Sequence, residues 1–227
     1  DLIHWERHPK ALEISDQTEN AFGTGSVVFY NGTYYLYCIN HGRRLVFSDA
    51  PDHRRADNIY VARSTDGIHF QKQIEPWLRI DYMFPGDVNP LVWKAAKGDR
   101  FFLYISGPPG RENWYFESDD LRTWKPTKIP ALDSVHAACC SYYPWNGKYY
   151  WFDWYNGYRM SATPIEDPDT KLMDIVPLKD AWAVPQVAPF TGNRMLMVGF
   201  TLPVSIYGTQ SLFRELVPNA DGSLGLK

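Results

Sequence analysis

The sequence predicts an all-β fold, a five-bladed β-propeller with an incomplete first blade. Three observations support this: two interleaved series of short motifs repeat along the chain, their spacing fits a four-stranded blade, and helical periodicity is absent. One series is a tight turn followed by an aromatic or aliphatic strand: Tyr30-Asn31-Gly32-Thr33-Tyr34-Tyr35, Lys97-Gly98-Asp99-Arg100-Phe101-Phe102, Trp145-Asn146-Gly147-Lys148-Tyr149-Tyr150 and Thr191-Gly192-Asn193-Arg194-Met195-Leu196. Asn-Gly between apolar runs favours a hairpin, because both central positions of the tight turn need φ > 0. The other series comprises Asp1-Leu2-Ile3-His4-Trp5, Ser64-Thr65-Asp66-Gly67-Ile68-His69-Phe70 and Ser118-Asp119-Asp120-Leu121-Arg122-Thr123-Trp124. These read as the turn before a blade's outermost strand.

The turn glycines Gly32, Gly98, Gly147 and Gly192 recur at intervals of 66, 49 and 45 residues, around the roughly 40 to 50 residues of a propeller blade. Blades are therefore expected at 20–76, 84–130, 134–178 and 181–227. Residues 1–12 are left as the last strand of a first blade, whose inner three strands either lie upstream or are replaced by a different ring closure in which the last segment completes the blade. An opened ring would expose strand edges, which propellers normally close.

Composition narrows the function. At 227 residues, with 44% hydrophobic and 22% charged, the chain can bury a substantial core. A net charge of −3 without a basic stripe argues against a nucleic-acid partner, and no apolar run reaches membrane-spanning length. A neutral ligand fits better. Aromatic content is 16%; most of these rings suit a β-rich core, and a minority suit stacking on a ligand. Cys38, Cys139 and Cys140 make an odd count, and adjacent cysteines do not readily bridge. No His or Cys spacing completes a metal set, so neither metal nor other cofactor is expected. The sequon Asn31-Gly32-Thr33 carries little weight, since its turn has its own reason to exist.

Read in order, further motifs resemble glycoside hydrolase family 32. Asp1 to Leu12 is similar to the "DLVHWE…P-x-AL" segment, Gly25-Ser26-Val27-Val28 to "SGSAV", and Ser64 to Gly67 to "STDG". Asn89-Pro90-Leu91-Val92-Trp93 is similar to "RDPKVF", and Ser118 to Trp124 to "SSDLKNW". Pro185 to Phe200 resembles the last-blade "GNRR" strand pair, and Leu212 to Val217 resembles "LPRELxL". Family 43, with its arabinan- and xylan-cleaving members, shares the propeller. The resemblance implies a carbohydrate substrate such as fructan or arabinan and an extracellular or periplasmic rather than cytoplasmic setting; oligomeric state stays open.

Enzymes of this kind work through paired carboxylates around an oxocarbenium-like transition state. The resemblance implies three acids. The nucleophilic Asp of "NDPNG" has no counterpart in this chain. The Asp of "RDP" falls on Asn89, with Asp87 two residues earlier on the same face of an extended strand; Asp87 is the expected carboxylate and Asn89 a ligand of sugar hydroxyls. A turn acid is the plain alternative for Asp87. The general-acid Glu of "E-C-P" falls on Ala138, leaving Asp133 and His136 as the nearest titratable groups, although a loop acid and a hydrogen-bonded histidine would look the same. Trp93, Trp114, Trp154, Tyr155 and Trp182 are candidates for stacking on sugar faces, with burial between blades as the alternative for each. Two hypotheses follow: a family 32- or 43-like glycoside hydrolase, and a catalytically inactive glycan-binding propeller.

Overall fold

A computed structural model describes residues 3–15, 19–42, 55–73, 78–82, 89–107, 113–135, 138–153, 157–178, 182–201 and 211–227. Contacts divide the chain into two units, residues 1–92 and 93–227. The first contains β1 (Glu19–Tyr30), β2 (Thr33–Gly42), β3 (Arg55–Ser64), β4 (Gln71–Lys72) and β5 (Leu78–Tyr82). These form one antiparallel sheet, ordered β1-β2-β3-β4, with β5 also pairing with β3.

Three further sheets follow. β6 (Pro90–Lys94), β7 (Phe101–Ile105), β8 (Trp114–Ser118) and β9 (Lys125–Pro126) form the second; the unit boundary falls within β6. β10 (Ser141–Trp145), β11 (Lys148–Asp153), β12 (Gly157–Ser161) and β13 (Val176–Pro177) form the third. β14 (Trp182–Phe190), β15 (Arg194–Thr201), β16 (Ser211–Pro218) and β17 (Leu224–Leu226) form the fourth. In each the strands run in sequence order, the up-and-down meander of a propeller blade. One short 3-10 turn, Pro130–Leu132, is the helical element among the described residues.

Among the described residues there are four blades, where five, the first incomplete, were expected. Residues 3–12 form bends and coil rather than a blade's closing strand, with Ile3 77% and Trp5 68% exposed. An outer strand exists only against a neighbour that accepts its ladder hydrogen bonds. Among the described residues nothing supplies the three strands it would lie against.

The repeated motifs have direct structural causes. Asn31 and Gly32 (φ 48° and 75°) and Asn146 and Gly147 (φ 48° and 74°) take the two positive φ values that a two-residue hairpin demands. In the Asp turns, Ser64 Oγ accepts the Gly67 N–H at 2.9 Å, and Asp66 Oδ1 accepts the N–H groups of Ile68 and His69, both at 2.8 Å. Ser118 and Asp120 repeat the arrangement with Leu121, Arg122 and Thr123. These bonds favour the ionised form and hold both Asp66 and Asp120 below the usual carboxylate range; at Asp66 the largest cause is the side-chain bond with His69.

Within residues 93–227, strands alternate so that Trp145, Tyr150, Phe152, Tyr158 and Met160 of the third sheet meet Val187, Met195, Met197, Leu216 and Leu224 of the fourth. On the other face of the third sheet, Trp151 stands edge-on to Tyr104 of the second, ring centroids 5.2 Å apart. The first sheet has a polar anchor. Glu19 is buried, pairs with Lys72, and accepts the Ser15 N–H at 2.8 Å, while the Lys72 ammonium also lies over the Phe22 and Tyr60 rings. Removing one charge of a buried pair strands the other. Glu19→Gln is therefore expected to lower the unfolding free energy by about 3 kcal/mol, measured by urea denaturation.

Candidate functional site

The polar groups of greatest chemical interest in residues 93–227 lie at the ends of the second and third sheets opposite their Gly98 and Asn146-Gly147 turns. There Asn113, just before β8, acts as a brace. Its Oδ1 accepts the Gly107 N–H (3.1 Å) and the Tyr104 hydroxyl (3.3 Å), and its Nδ2 donates to the Val135 carbonyl at 2.7 Å. The Tyr115 hydroxyl donates to the Leu132 carbonyl at 3.1 Å, and burial raises the pKa of that phenol. Together these bonds fix the loop 130–135, which leads into His136. A loop held by buried side chains presents its residues with little further ordering cost.

Asp153 ends β11. It continues the buried run Tyr150-Trp151-Phe152, and period two puts it on the face of Trp151 rather than that of Phe152. The indole N–H of Trp151 donates to Asp153 Oδ1 at 2.8 Å, and the Arg159 Nε–H donates to Oδ2 at 3.2 Å. Burial raises the Asp153 pKa above the usual carboxylate value, while Arg159 and Trp151 pull it back. A carboxyl group that keeps its proton to higher pH, with donors ready for the anion left behind, is suited to proton transfer.

Cys139 and Cys140 precede β10. Both are buried and carry no disulfide. Burial, then the Asp153 charge, pushes the Cys140 thiol well above its ordinary range. Burial likewise pushes Cys38 up to about 12. Cys139 has φ 52°, and its carbonyl accepts Gln186 Nε2 at 3.0 Å. Gln186 follows a register shift in β14, at which Val184 has φ 56°. Bulges of this kind re-aim side chains at strand ends.

The residues singled out from sequence fall into three groups. Asp87, His136, Trp154 and Tyr155 lie outside the described residues, and for Trp182 the backbone alone is described, at the start of β14 opposite Thr201. Asp133 is exposed, its backbone N–H closing the 3-10 turn on the Pro130 carbonyl at 3.2 Å. Trp114 opens β8, partly buried, and Asn89 is buried immediately before β6. Trp93 is only 5% exposed: it stacks on Phe102, meets the edge of Tyr142, and its N–H is taken by Glu166 Oε2 at 3.3 Å. Its ring is core packing and offers no face to a sugar. Asp153 was not singled out. The available signal was an acid on the inward face at the end of an otherwise apolar strand. Among the described residues no group of three His, Cys, Asp or Glu side chains is spaced to hold a metal ion.

No family model matches the chain. A sucrose-6-phosphate hydrolase of Zymomonas mobilis is 33% identical over 111 residues, 46% of this chain and 20% of that protein. Two solved structures align with the whole chain. They are a sucrose-6-phosphate hydrolase of Lactobacillus gasseri (TM-score 0.73, 17% identity) and a family 32 β-fructofuranosidase of Bombyx mori (TM-score 0.70, 19% identity). The chain spans 52% and 54% of their lengths. A variant of the Bombyx mori enzyme was solved in complex with sucrose. The resemblance read from the ordered motifs therefore holds: this chain carries the β-propeller fold of the family 32 glycoside hydrolases.

Proposed function

We propose that the chain is the propeller of a glycoside hydrolase acting on a fructan- or sucrose-class saccharide. The observation that carries this reading is the alignment of the entire chain with a family 32 β-fructofuranosidase and a sucrose-6-phosphate hydrolase, in agreement with seven motifs in matching order. Fold alone does not fix chemistry, so the residues must supply it. In residues 93–227 Asp153 is the best-supported proton donor: protonated, it gives its proton to the glycosidic oxygen as the C–O bond breaks, and the bond's electron pair stays on that oxygen. The carboxylate then keeps the N–H groups of Trp151 and Arg159. Water then attacks the oxocarbenium-like centre and returns a proton to Asp153, and Asp87, in residues 1–92, is a further proposed catalytic carboxylate. Asp133 and His136 are the remaining proposed catalytic groups, and Asn89, Trp114, Trp154, Tyr155 and Trp182 the proposed contacts to sugar hydroxyls and ring faces.

One observation favours a second reading. Ala138 stands where the resemblance places a general-acid Glu, which suits a propeller that binds glycans without cleaving them. The same assay separates the two. The purified chain is expected to release reducing sugar from sucrose or from a panel of fructans and arabinans, and Asp87→Asn is expected to abolish the release. Saccharide binding by calorimetry with no release from any substrate would establish the binder instead.

A further inference from the structure

Asn40, in the first sheet, is an unexplained buried polar group. It lies on β2, wholly buried, and among the described residues neither its Oδ1 nor its Nδ2 has a hydrogen-bond partner. Leaving a buried amide unmade is costly, and such groups in a folded protein call for a specific explanation. Its neighbours on the strand are apolar or closed: Ile39 is fully buried, and Cys38 directs its thiol to the Tyr60 carbonyl at 4.0 Å.

The partner strand adds a second, independent observation. β1 pairs Phe22 with Asn40, and its register shifts on both sides of that pair, between Glu19 and Ala21 and again between Phe22 and Gly25. Two bulges within seven residues leave β1 without a regular ladder on either side of its pairing with Asn40. Bulges are concentrated next to functional sites, and a bulged strand moves aside more readily than a regular one. Asn40 also lies at the end of β2 far from its Asn31-Gly32 turn.

The two unpaired ends of the Asn40 amide select the ligand class. An anion would satisfy the Nδ2 donors and leave Oδ1 unmade, and a cation would do the reverse. A hydroxyl both donates and accepts, and a pair of adjacent hydroxyls fills the two ends of an amide at once. We infer that Asn40 is a binding residue for the hydroxyl groups of a saccharide, held unpaired in the ligand-free chain and satisfied when β1 yields to admit the sugar. This rests on the saccharide reading above and assigns it a contact in residues 1–92.

The test exploits the opposite signs of stability and affinity. Asn40→Leu removes the stranded amide at similar size, and Asn40→Ala removes it without adding bulk. Calorimetric titration with sucrose and with a fructan oligosaccharide, alongside thermal unfolding, reads both quantities. The expected result is about tenfold or greater loss of affinity in both variants, with the melting temperature of Asn40→Leu unchanged or raised by about 2–4 °C. Unchanged affinity in both variants overturns the inference, since Asn40 then holds at most a buried water, and leaves the saccharide reading intact. Failure of the unsubstituted chain to bind any saccharide overturns that reading first, and the ligand class assigned to Asn40 with it.

Discussion

Trp151→Ala is expected to lower the unfolding free energy by about 4 kcal/mol, among the largest effects of any single substitution in the chain. The ring is fully buried at the centre of β11, edge-on to Tyr104 and tilted against Tyr142. Its removal leaves a cavity bounded by two strands that cannot collapse without breaking their ladders. It also takes away the indole donor at Asp153 Oδ1, so the carboxyl loses a bond that favours its charged form and holds its proton still more tightly. Trp151→Phe keeps most of the ring volume and is expected to lose about half as much. Urea denaturation of the chain measures both. A loss below about 1 kcal/mol for Trp151→Ala would mean the blade repacks around the site.

Asp153→Asn is expected to reduce saccharide hydrolysis about a hundredfold or more, the scale associated with losing a general acid, while the fold survives because the shape is kept. Stability should respond to pH with a definite sign. The folded pKa is raised by burial above the unfolded value, so between the two the native state binds more protons than the unfolded state. The contribution of Asp153 is therefore fully present below the unfolded value of about 3.9 and is lost as pH rises through the folded value. Subtracting the Asp153→Asn profile from that of the unsubstituted chain isolates this effect from the Asp66 and Asp120 turns, which act in the opposite sense: their lowered pKa values stabilise above the unfolded value and fail as pH falls. A difference profile that rises with pH would show that the ion pair with Arg159 outweighs burial, and Asp153 would then be an ionised anchor rather than a donor.

Much of the fold was legible because its signals are local. Asn31-Gly32 and Asn146-Gly147 dictate their turns through backbone sterics, and the Ser-x-Asp turns close on hydrogen bonds within a few residues. The segment 3–12, read as a closing strand, forms bends and coil among the described residues. Its likeness to an outer strand is a property of its side chains, whereas a strand is a relation to a neighbour. The site was less legible. Asp153 follows Phe152 at the edge of an apolar run and looks like any acid ending a strand; its character comes from burial beside Trp151 and from Arg159, six residues away in sequence. Trp93 showed the same limit from the other side, since its indole could serve a core or a ligand, and Glu166, 73 residues away, decided the matter. Asn40 gives no sequence signal at all, because an asparagine's burial and its hydrogen-bond partners are set by the packing around it.

On the function proposed above, the chain binds a saccharide and Asp153, in the same blade as Ala138, gives up the proton. Calorimetric titration of the chain with sucrose and a fructan oligosaccharide tests it most directly, using unsubstituted protein and Asp153→Asn side by side. Saturable binding that survives in Asp153→Asn, with hydrolysis confined to the unsubstituted chain, is the expected result. Absence of binding to either saccharide, or hydrolysis undiminished in Asp153→Asn, would contradict it.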